Sequence, residues 1–530
     1  MSLDDISWNN LSALLSHQAT TFGERDFVLF DQQPKIDQSN SDQIPELRKS
    51  LSFDQLDQQV NQACRLLESS GIRRGDVFNL HLPNSLSFLI LWFAGVRMGA
   101  VMMPTNVQSS QAEMEYLLGH SDARIAFTTS SCIKTLTACC DALPGLKQVI
   151  ECDPFATEPE AHSFETLLTG FDTAPYHCPC RSSDLAAIMY TSGTTSKPKG
   201  VMVTHANYLK AGSTVANALG LTASDRQFVV LPLFHGNAQY YSTMSALLSG
   251  ASIALMDRFS ASQYFDKCIE YKCTVASLFA APMRMILAQP EQQKHRQNKL
   301  RSVIYAQNIT LEQEQDWYRR FGAPLSQLWG MTETMGPPLM NPVGVGQRNW
   351  TVGKPVGGYD VRLVDNDGHP LGVDKEGEIA VRGIPGKSIM LGYFNNPQAT
   401  RQTIRNGWLH TGDNAVVDED GFFRFVDRKK DMIKRSGENV SAGEVESVLQ
   451  QHPKIFECAV VGIPEKMRDE EIVAVVVLYA DQLISEREII AFCEDKLAAF
   501  RVPQRVVFRT TLPKTSVGKI QKHKLKDELQ

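Results

Sequence analysis

The chain has 530 residues, and its 53 Lys and Arg residues stand against 59 Asp and Glu residues, so its formal net charge is −6. A mildly acidic chain without a run of basic residues disfavours a nucleic-acid-binding protein. Its 43% hydrophobic and 21% charged residues exclude disorder or a coiled coil as a description of the whole chain. The length suffices for roughly two to four domains and for more than one hydrophobic core.

The N-terminal residues MSLDDISWNN lack the basic and apolar regions of a signal peptide. The most apolar stretch, 86–96, is too short to span a bilayer, and it predicts a buried helix with no transmembrane segment. The 11 cysteines are scattered and odd in number, which argues against a disulfide framework. We therefore expect a cytoplasmic protein.

Short apolar runs then alternate with amphipathic segments of helical length. This pattern predicts an α/β fold with largely parallel sheets. The predicted strands are 186–190, 228–231, 253–256, 275–278 and 303–306, and the predicted helices are 238–248, 261–271 and 311–321.

From about residue 353 to 425, Gly, Pro and Asp punctuate short alternating strands, which predicts a smaller β-rich subdomain. A dense charge run follows at 427–431, and we place a domain boundary there. Beyond it, the pattern predicts a compact α+β unit. Its helices are 444–450 and 486–497, and its strands are 458–462, 472–478 and 505–508.

The strongest chemical signal is YTSGTTSKPKG at 190–200, between two strand-like runs. A loop rich in Gly, Ser, Thr and Lys can present N–H, O–H and ammonium donors to phosphate oxygens. It is not a Walker A loop, because Pro198 stands where that pattern needs glycine. By composition alone, a flexible surface loop remains an alternative.

The exact residue order of this loop resembles the adenylate-forming superfamily of acyl- and aryl-CoA ligases, peptide-synthetase adenylation domains and firefly luciferase. Further segments match the family in the same order along the chain. They are QLWGMTET at 327–334, GWLHTGD at 407–413, DRKKDMIK at 427–434, SGENV at 436–440 and PKTSVGKI at 513–520. The C-terminal portion looks most like the crotonobetaine/carnitine–CoA ligases.

The resemblance implies a large N-terminal AMP-binding domain of layered α/β sheets with a β-rich subdomain, over 1–427. It implies a hinge at 428–430 and a small, mobile α+β C-terminal lid domain over 431–530. Within the hinge, Lys430 is the residue about which the small domain would rotate between the two half-reactions. Gly437 would then line the tunnel for the pantetheine thiol, where a side chain would be an obstruction.

The resemblance also assigns the nucleotide site. The phosphate loop would contribute Thr191, Ser192, Gly193, Thr194, Thr195 and Lys199. Thr332 would bind the α-phosphate, and Glu333 would ligate Mg²⁺, a hard cation that prefers oxygen. Considered alone, Thr332 and Glu333 read as a helix start with an exposed acid.

The segment QLWGMTET at 327–334 would supply Gln327 and Trp329, and Trp329 would stack on adenine. An isolated Trp would more often be a core residue. Asp413 would accept hydrogen bonds from both ribose hydroxyls. Arg428 would reach the ribose or phosphate. Lys519 would bridge the substrate carboxylate, the ribose oxygen and the α-phosphate, although an isolated lysine in such a loop is more often solvated.

The acyl site is less clearly encoded. His235, in PLFHGN at 232–237, would gate or orient the acyl carboxylate, although an isolated histidine is more often structural. Where relatives commonly have a Gly/Ala-rich run, this chain has Gln307 and Asn308, which are candidates for the acyl pocket. A trimethylammonium group would need an aromatic cage, for which Tyr240, Tyr241 and Trp350 are candidates.

These residues imply an ATP- and Mg²⁺-dependent ligase that activates a small or medium carboxylic acid as acyl-AMP and then forms a thioester with coenzyme A. An acid of the carnitine or crotonobetaine type is one candidate substrate. The alternative is an adenylating enzyme that loads a carrier-protein phosphopantetheine. A non-catalytic binding protein is disfavoured because no motif has lost its charges. The expected partners are the acid, ATP and the thiol, without nucleic acid; a homodimer is compatible with the sequence.

Overall fold

The fold is described from a computed structural model. The residues that it describes are 10–32, 47–152, 163–177, 180–191, 197–428, 431–435, 438–465, 469–514 and 520–530. Within these ranges, four β-sheets are flanked by helices, so the α/β fold predicted from the sequence is confirmed. None of the described helices is both long and apolar enough to cross a membrane.

The largest sheet has nine strands in the order β15-β14-β13-β12-β11-β9-β10-β1-β2. Its centre, from β1 to β13, is parallel, and the antiparallel pairs lie toward its two edges. The strands are β1 Asp26–Gln32, β2 Leu47–Ser52, β9 Arg226–Val229, β10 Ser252–Met256, β11 Val275–Phe279, β12 Ser302–Ala306, β13 Leu325–Trp329, β14 Leu339–Met340 and β15 Lys354–Pro355.

A second sheet has seven strands in the order β18-β8-β7-β4-β3-β5-β6. In it, β7 and β8 pair antiparallel, so that they bring the two ends of the predicted phosphate loop together. The strands are β3 Val77–His81, β4 Val101–Pro104, β5 Ala123–Thr128, β6 Gln148–Glu151, β7 Leu185–Thr191, β8 Lys199–Thr204 and β18 Gly392–Tyr393.

Two smaller sheets follow along the chain, each with five strands. The first corresponds to the predicted β-rich segment and contains β16 Asp360–Val364, β17 Glu376–Arg382, β19 Ile404–Arg405, β20 Trp408–Val417 and β21 Phe423–Arg428. The second contains β22 Ile433–Arg435, β23 Glu438–Val440, β24 Ile455–Glu465, β25 Asp469–Leu478 and β26 Arg505–Phe508. Two hydrophobic clusters drawn only from residues after 432 cover the two faces of this last sheet.

Helices cover the sheets. In the N-terminal part they are α1 Leu11–Phe22, α2 Phe53–Ser69, α3 Leu86–Met98, α4 Gln111–Ser121, α5 Ile133–Ala142, α6 Phe164–Leu168, α7 His205–Leu219, α8 Met244–Ser249, α9 Tyr264–Glu270, α10 Ala280–Leu287, α11 Leu311–Phe321 and α12 Pro397–Thr403. Near the C-terminus they are α13 Ala442–Leu449, α14 Glu486–Glu494 and α15 Lys522–Leu529. The apolar segment at 86–96 forms part of the buried helix α3, as predicted.

Local sequence signals explain where several helices begin and end. Thr310 and Gln313 form a capping box at the start of α11, and Gly322 ends that helix with φ of 64°. The predicted helix at 238–248 is divided in the structure. Its first part, Asn237–Thr243, is a π-helix that continues into α8, and such turns occur frequently at functional sites.

The protein contains two buried histidines whose protonation is expected to lower the free energy of unfolding in mild acid. Burial lowers the pKa of both His81 and His205 to about 4. His205 Nδ1 accepts the Leu11 backbone N–H at 3.2 Å, so a proton on that nitrogen would break the bond. The unfolded chain titrates near the ordinary value of about 6.5. It therefore binds more protons than the folded protein between about pH 4 and 6.5, and the free energy of unfolding falls as the pH drops through this window.

Urea unfolding at about pH 7.5 and pH 5 measures this effect. We expect a loss on the order of 2 kcal/mol for each histidine between these conditions. Replacing His205 with glutamine should flatten the pH dependence. An unchanged pH dependence in His205→Gln would show that this histidine is not the source.

Candidate functional site

A cavity of about 870 Å³ lies between the ends of β12 and β13, the strands β20 and β21, and the C-terminal helices α13 and α15. Ligand sites in α/β sheets lie outside the carboxyl ends of parallel strands, and β12 and β13 are parallel. Several predicted site residues line the cavity. They are Gln307, Asn308, Gln327, Trp329, Asp413 and Arg428.

Asp413 is the centre of a charged cluster on the cavity wall and is only 8% exposed. Trp329 Nε1 donates to Asp413 Oδ2 at 2.9 Å, and Arg428 Nε lies 3.3 Å from Asp413 Oδ1. Asp413 and Arg428 are cross-strand partners of β20 and β21, which fixes their separation. A carboxylate oxygen accepts hydrogen bonds through two lone pairs, so Asp413 has the chemistry to accept from ligand hydroxyls.

The Gln327 amide lies on the same wall. Its Nε2 donates to Asn308 Oδ1 at 2.7 Å and to the Gln307 carbonyl at 3.3 Å. Its Oε1 is buried and has no hydrogen-bond partner among the described residues, which makes it an acceptor available to a ligand N–H. Gln307 has a φ of 72°, an uncommon backbone conformation for a residue with a Cβ.

A second cluster surrounds Glu333, which lies in the 3₁₀ turn Thr332–Thr334 after β13. Tyr393 Oη donates to Glu333 Oε1 at 2.9 Å, and Lys199 Nζ lies 4.8 Å from the centre of the Tyr393 ring. Burial raises the pKa of Glu333. A divalent cation would favour its ionised form, and carboxylate oxygen is the ligand that Mg²⁺ prefers. The Glu333 side chain therefore fits the metal role that the resemblance implies.

Thr191 and Lys199 face each other across β7 and β8, and Thr191 Oγ1 lies 3.5 Å from the Lys199 carbonyl. Thr191, Lys199, Thr332 and Glu333 are not among the residues that line the cavity. The predicted nucleotide residues thus divide into those that line the cavity and those that do not, and the charge of Arg428 on the cavity wall also acts on the Glu333 carboxylate.

The predicted acyl-site residues are less concentrated. His235 lies two residues before the π-helix. Its carbonyl accepts the Gln239 N–H at 3.2 Å, and its ring centre is 4.3 Å from that of Phe234. It does not line the cavity, unlike Gln307 and Asn308.

The three aromatic residues considered for a cationic substrate differ in their surroundings. Tyr240 and Tyr241 are buried in the π-helix. Trp350 is 66% exposed and lines the cavity, whereas Tyr240 and Tyr241 do not line it. The cavity therefore does not bring the three residues together as a cage.

The C-terminal wall of the cavity carries a partly buried ion pair. Lys522 Nζ lies 2.8 Å from Glu446 Oε1, which also accepts the Val460 N–H at 2.7 Å. Although burial by itself would lower it, the pKa of Lys522 is raised because Glu446, Asp427 and Asp431 favour the charged form. This cluster links the end of β21 to the last helix.

Asp427, at the end of β21, is hydrogen-bonded to the start of α13, which follows residues 428–440 in the chain. Its Oδ2 accepts the Ser441 hydroxyl at 3.2 Å and the Gly443 N–H at 2.9 Å, at the start of α13. The charge run predicted to separate two domains is therefore bridged by hydrogen bonds that its first residue, Asp427, accepts.

Some predicted site residues lie outside the described residues. They are Ser192, Gly193, Thr194, Thr195, Lys430, Gly437 and Lys519. The described flanks of Lys519 are Lys514 and Ile520, which form an antiparallel β-bridge.

Sequence reasoning assigned no role to Tyr393, Glu446 or Lys522. Tyr393 belongs to the segment GYFNNP at 392–397, in which no site residue was predicted. Its contact with Glu333 joins residues that are 60 positions apart, so no local pattern could reveal it. Glu446 lies two residues after Glu444 in GEVE at 443–446. This pair of acidic residues was the sequence feature that could have indicated a charged contact on α13.

Two protein-family models match the chain, one on each side of the charge run at 427–431. The family model described as AMP-binding enzyme matches residues 15–394. A second model, described as AMP-binding enzyme C-terminal domain, matches residues 444–519.

Individual relatives extend the similarity to nearly the whole chain. A crotonobetaine/carnitine–CoA ligase of Shigella sonnei (strain Ss046) is 36% identical over 479 residues, covering 90% of this chain and 93% of the relative. The enzyme of the same name from Salmonella agona (strain SL483) is 33% identical over 528 residues, covering 99% and 100%. The crystal structure of an anthranilate CoA ligase in complex with anthranoyl-AMP superimposes with a TM-score of 0.88 at 28% identity, covering 100% of this chain and 99% of that one.

Proposed function

Since the chain belongs to the AMP-binding enzyme family, we propose that it is an ATP- and Mg²⁺-dependent acyl-CoA ligase for a small or medium carboxylic acid. Its class, an AMP-forming enzyme that joins an acid to a thiol, was predicted from the motifs and is confirmed by the relatives. The observation that carries the proposal is the cluster of Trp329, Asp413 and Arg428 on the wall of a cavity that the C-terminal helices also line.

In the first half-reaction, an oxygen of the substrate carboxylate attacks the α-phosphorus of ATP, and pyrophosphate leaves with the electrons of the broken P–O bond. Asp413 would hold the ribose hydroxyls, and the free Gln327 Oε1 would accept an N–H of the base. Thr332 would donate to the α-phosphate. Lys199 would neutralise charge on the leaving pyrophosphate, with Thr191 and Ser192, Gly193, Thr194 and Thr195 supplying donors.

Glu333 would hold Mg²⁺, which when bound would neutralise phosphate charge. Lys519 would orient the carboxylate against the α-phosphate. Arg428, whose side chain is 39% exposed beside Asp413, is placed to meet the ribose or a phosphate oxygen.

In the second half-reaction, a thiol attacks the acyl carbon, and AMP leaves with the carboxyl oxygen. We propose that residues 1–427 and 431–530 act as two domains joined by a hinge at 428–430, and that rotation about Lys430 brings Gly437 to the thiol. Two observations support this division: the last sheet has its own hydrophobic clusters, and the two family models end and begin on either side of the hinge.

The substrate is proposed from the relatives and from the cavity. Both named relatives act on crotonobetaine or carnitine, so an acid of that type is the first candidate. Of the three aromatic candidates for a trimethylammonium group, Trp350 lines the cavity, whereas Tyr240 and Tyr241 do not. An uncharged short or medium acid therefore belongs in the same test.

A pyrophosphate-release assay with a panel of acids tests the proposal. The panel should contain γ-trimethylammonium acids, straight-chain acids of increasing length and aryl acids, each with ATP and Mg²⁺. We expect a subset of acids to stimulate pyrophosphate release and, with coenzyme A, to yield AMP and a thioester. Thioester formation on a holo carrier protein but not on coenzyme A would favour the alternative acceptor. No stimulation by any acid would contradict the proposed function.

A further inference from the structure

Tyr393 occupies the short strand β18 beside the phosphate-loop strands. It pairs with Val201 of β8, two residues after Lys199. Its backbone is fixed on both sides, because its N–H donates to Thr400 Oγ1 at 2.9 Å and the following Phe394 N–H donates to the Gly200 carbonyl at 2.7 Å. The ring therefore has little freedom to move.

The two ends of the Tyr393 side chain serve two different charged groups. Its hydroxyl donates to Glu333 Oε1 at 2.9 Å, and the two residues are each 5% exposed. Its ring face lies 4.8 Å from Lys199 Nζ, within the range of a cation–π interaction. The carboxylate only accepts hydrogen bonds, so the tyrosine hydroxyl is the donor in this contact.

The backbone on the same side supports this arrangement. The Met390 N–H donates to the Glu333 carbonyl at 2.9 Å, which ties the turn that carries Glu333 to the segment leading into β18. One segment of chain therefore contacts both the main chain and the side chain of Glu333.

We propose that Tyr393 is a positioning residue that fixes the Glu333 carboxylate relative to the Lys199 ammonium, and so sets the distance between the metal ligand and the phosphate-binding cation. The inference rests on the proposed function, since it assumes that Glu333 holds the metal of a metal–ATP complex. Groups that hydrogen-bond to a metal ligand in this way commonly change metal affinity by about 10–100-fold when they are removed.

The substitution Tyr393→Phe isolates the hydroxyl, because it keeps the ring under Lys199 and removes only the donor to Glu333. We expect Mn²⁺ affinity, titrated by electron paramagnetic resonance with a non-hydrolysable ATP analogue, to fall about 10-fold. The KM for ATP at saturating metal should change less than about threefold. Tyr393→Leu, which also removes the ring from Lys199, should in addition raise the KM for ATP.

The chain offers a matched control. Tyr271 Oη donates to Asp31 Oδ2 at 2.8 Å, and that carboxylate also pairs with Lys267 Nζ at 2.7 Å. Asp31 lies on β1, five strands away from β13, the strand that precedes Glu333. Tyr271→Phe removes the same kind of hydrogen bond, and it should leave Mn²⁺ affinity unchanged.

A double-mutant cycle completes the test. If Tyr393 acts through Glu333, then adding Tyr393→Phe to Glu333→Gln should produce no further loss of Mn²⁺ affinity. Unchanged affinity in Tyr393→Phe, additive losses in the cycle, or unfolding of Tyr393→Phe where Tyr271→Phe remains folded would each overturn the proposal. Because metal–ATP binding is measured without an acid, these outcomes are distinct from a failure of the wild-type protein to activate any acid.

Discussion

Replacing Lys519 with alanine is expected to slow acyl-adenylate formation by about 10²–10³-fold, the loss typical when one preorganised donor is removed from developing charge. The family resemblance places this ammonium between the substrate carboxylate and the α-phosphate. Two anions must approach each other there, so removal of the positive charge should act on kcat more than on folding. Rapid-quench measurement of acyl-AMP formation from ATP and acid gives the rate.

The fold should tolerate the Lys519 substitution because the chain on either side is held independently. Lys514 Nζ pairs with Glu457 Oε1 at 2.8 Å, and Lys522 Nζ pairs with Glu446 Oε1 at 2.8 Å. Both acids lie on the cavity wall. The described residues on either side of Lys519 thus keep their ion pairs when its charge is removed.

Lys524→Ala is the matched control, since Lys524 is an exposed lysine of the following helix α15. It should retain the wild-type rate. Thioester formation from supplied acyl-AMP should change less than about threefold in Lys519→Ala, because the lysine is assigned to the first half-reaction alone. A wild-type rate of adenylation in Lys519→Ala would contradict the assignment.

Replacing Asp413 with alanine is expected to weaken ATP binding by about 100-fold and to lower the free energy of unfolding by about 1–3 kcal/mol. The first effect follows from the loss of the acceptor for two ribose hydroxyls. The second arises because Trp329 Nε1 would lose its partner in a buried position, and Arg428 would lose the opposing charge. Equilibrium binding of ATP and urea unfolding measure the two effects separately.

Asp413→Asn separates the effect of charge from the effect of packing at this position, and a variant that breaks a second ion pair serves as the control. Asp413→Asn keeps an acceptor for the Trp329 N–H and removes the charge opposite Arg428, so its loss of stability should be smaller. Asp420→Ala breaks an exposed pair with Arg348, and exposed pairs contribute about 0–1 kcal/mol. Wild-type ATP affinity in Asp413→Ala would show that the ribose lies elsewhere.

The sequence predicts well those features whose physical cause is local. Helix α11 has the predicted bounds, Leu311–Phe321, because its cap, its amphipathic spacing and its final glycine all lie within a few residues. The predicted family, fold class and ligase class are also confirmed. Each of these predictions depends on short sequence segments and does not require knowledge of the distant residues that those segments contact.

The features that sequence reasoning missed depend on distant contacts. The π-helix at Asn237–Thr243 shares the apolar spacing of an ordinary helix and differs in its hydrogen bonds. The contacts of Tyr393 exist only because β18 pairs with β8 at the edge of the sheet. The ion pair of Lys522 exists only because α15 lies beside Glu446. Periodicity reports which face of an element is buried, but it does not report what that face meets.

The central claim is that this chain joins an organic acid to the AMP part of ATP. Isotope exchange between labelled pyrophosphate and ATP, with Mg²⁺ and an acid but without a thiol, tests it most directly. Exchange that requires the acid and disappears in Lys519→Ala is the predicted result, because acyl-AMP formation is reversible. Absence of exchange with every acid, or cleavage of ATP to ADP and phosphate, would contradict it.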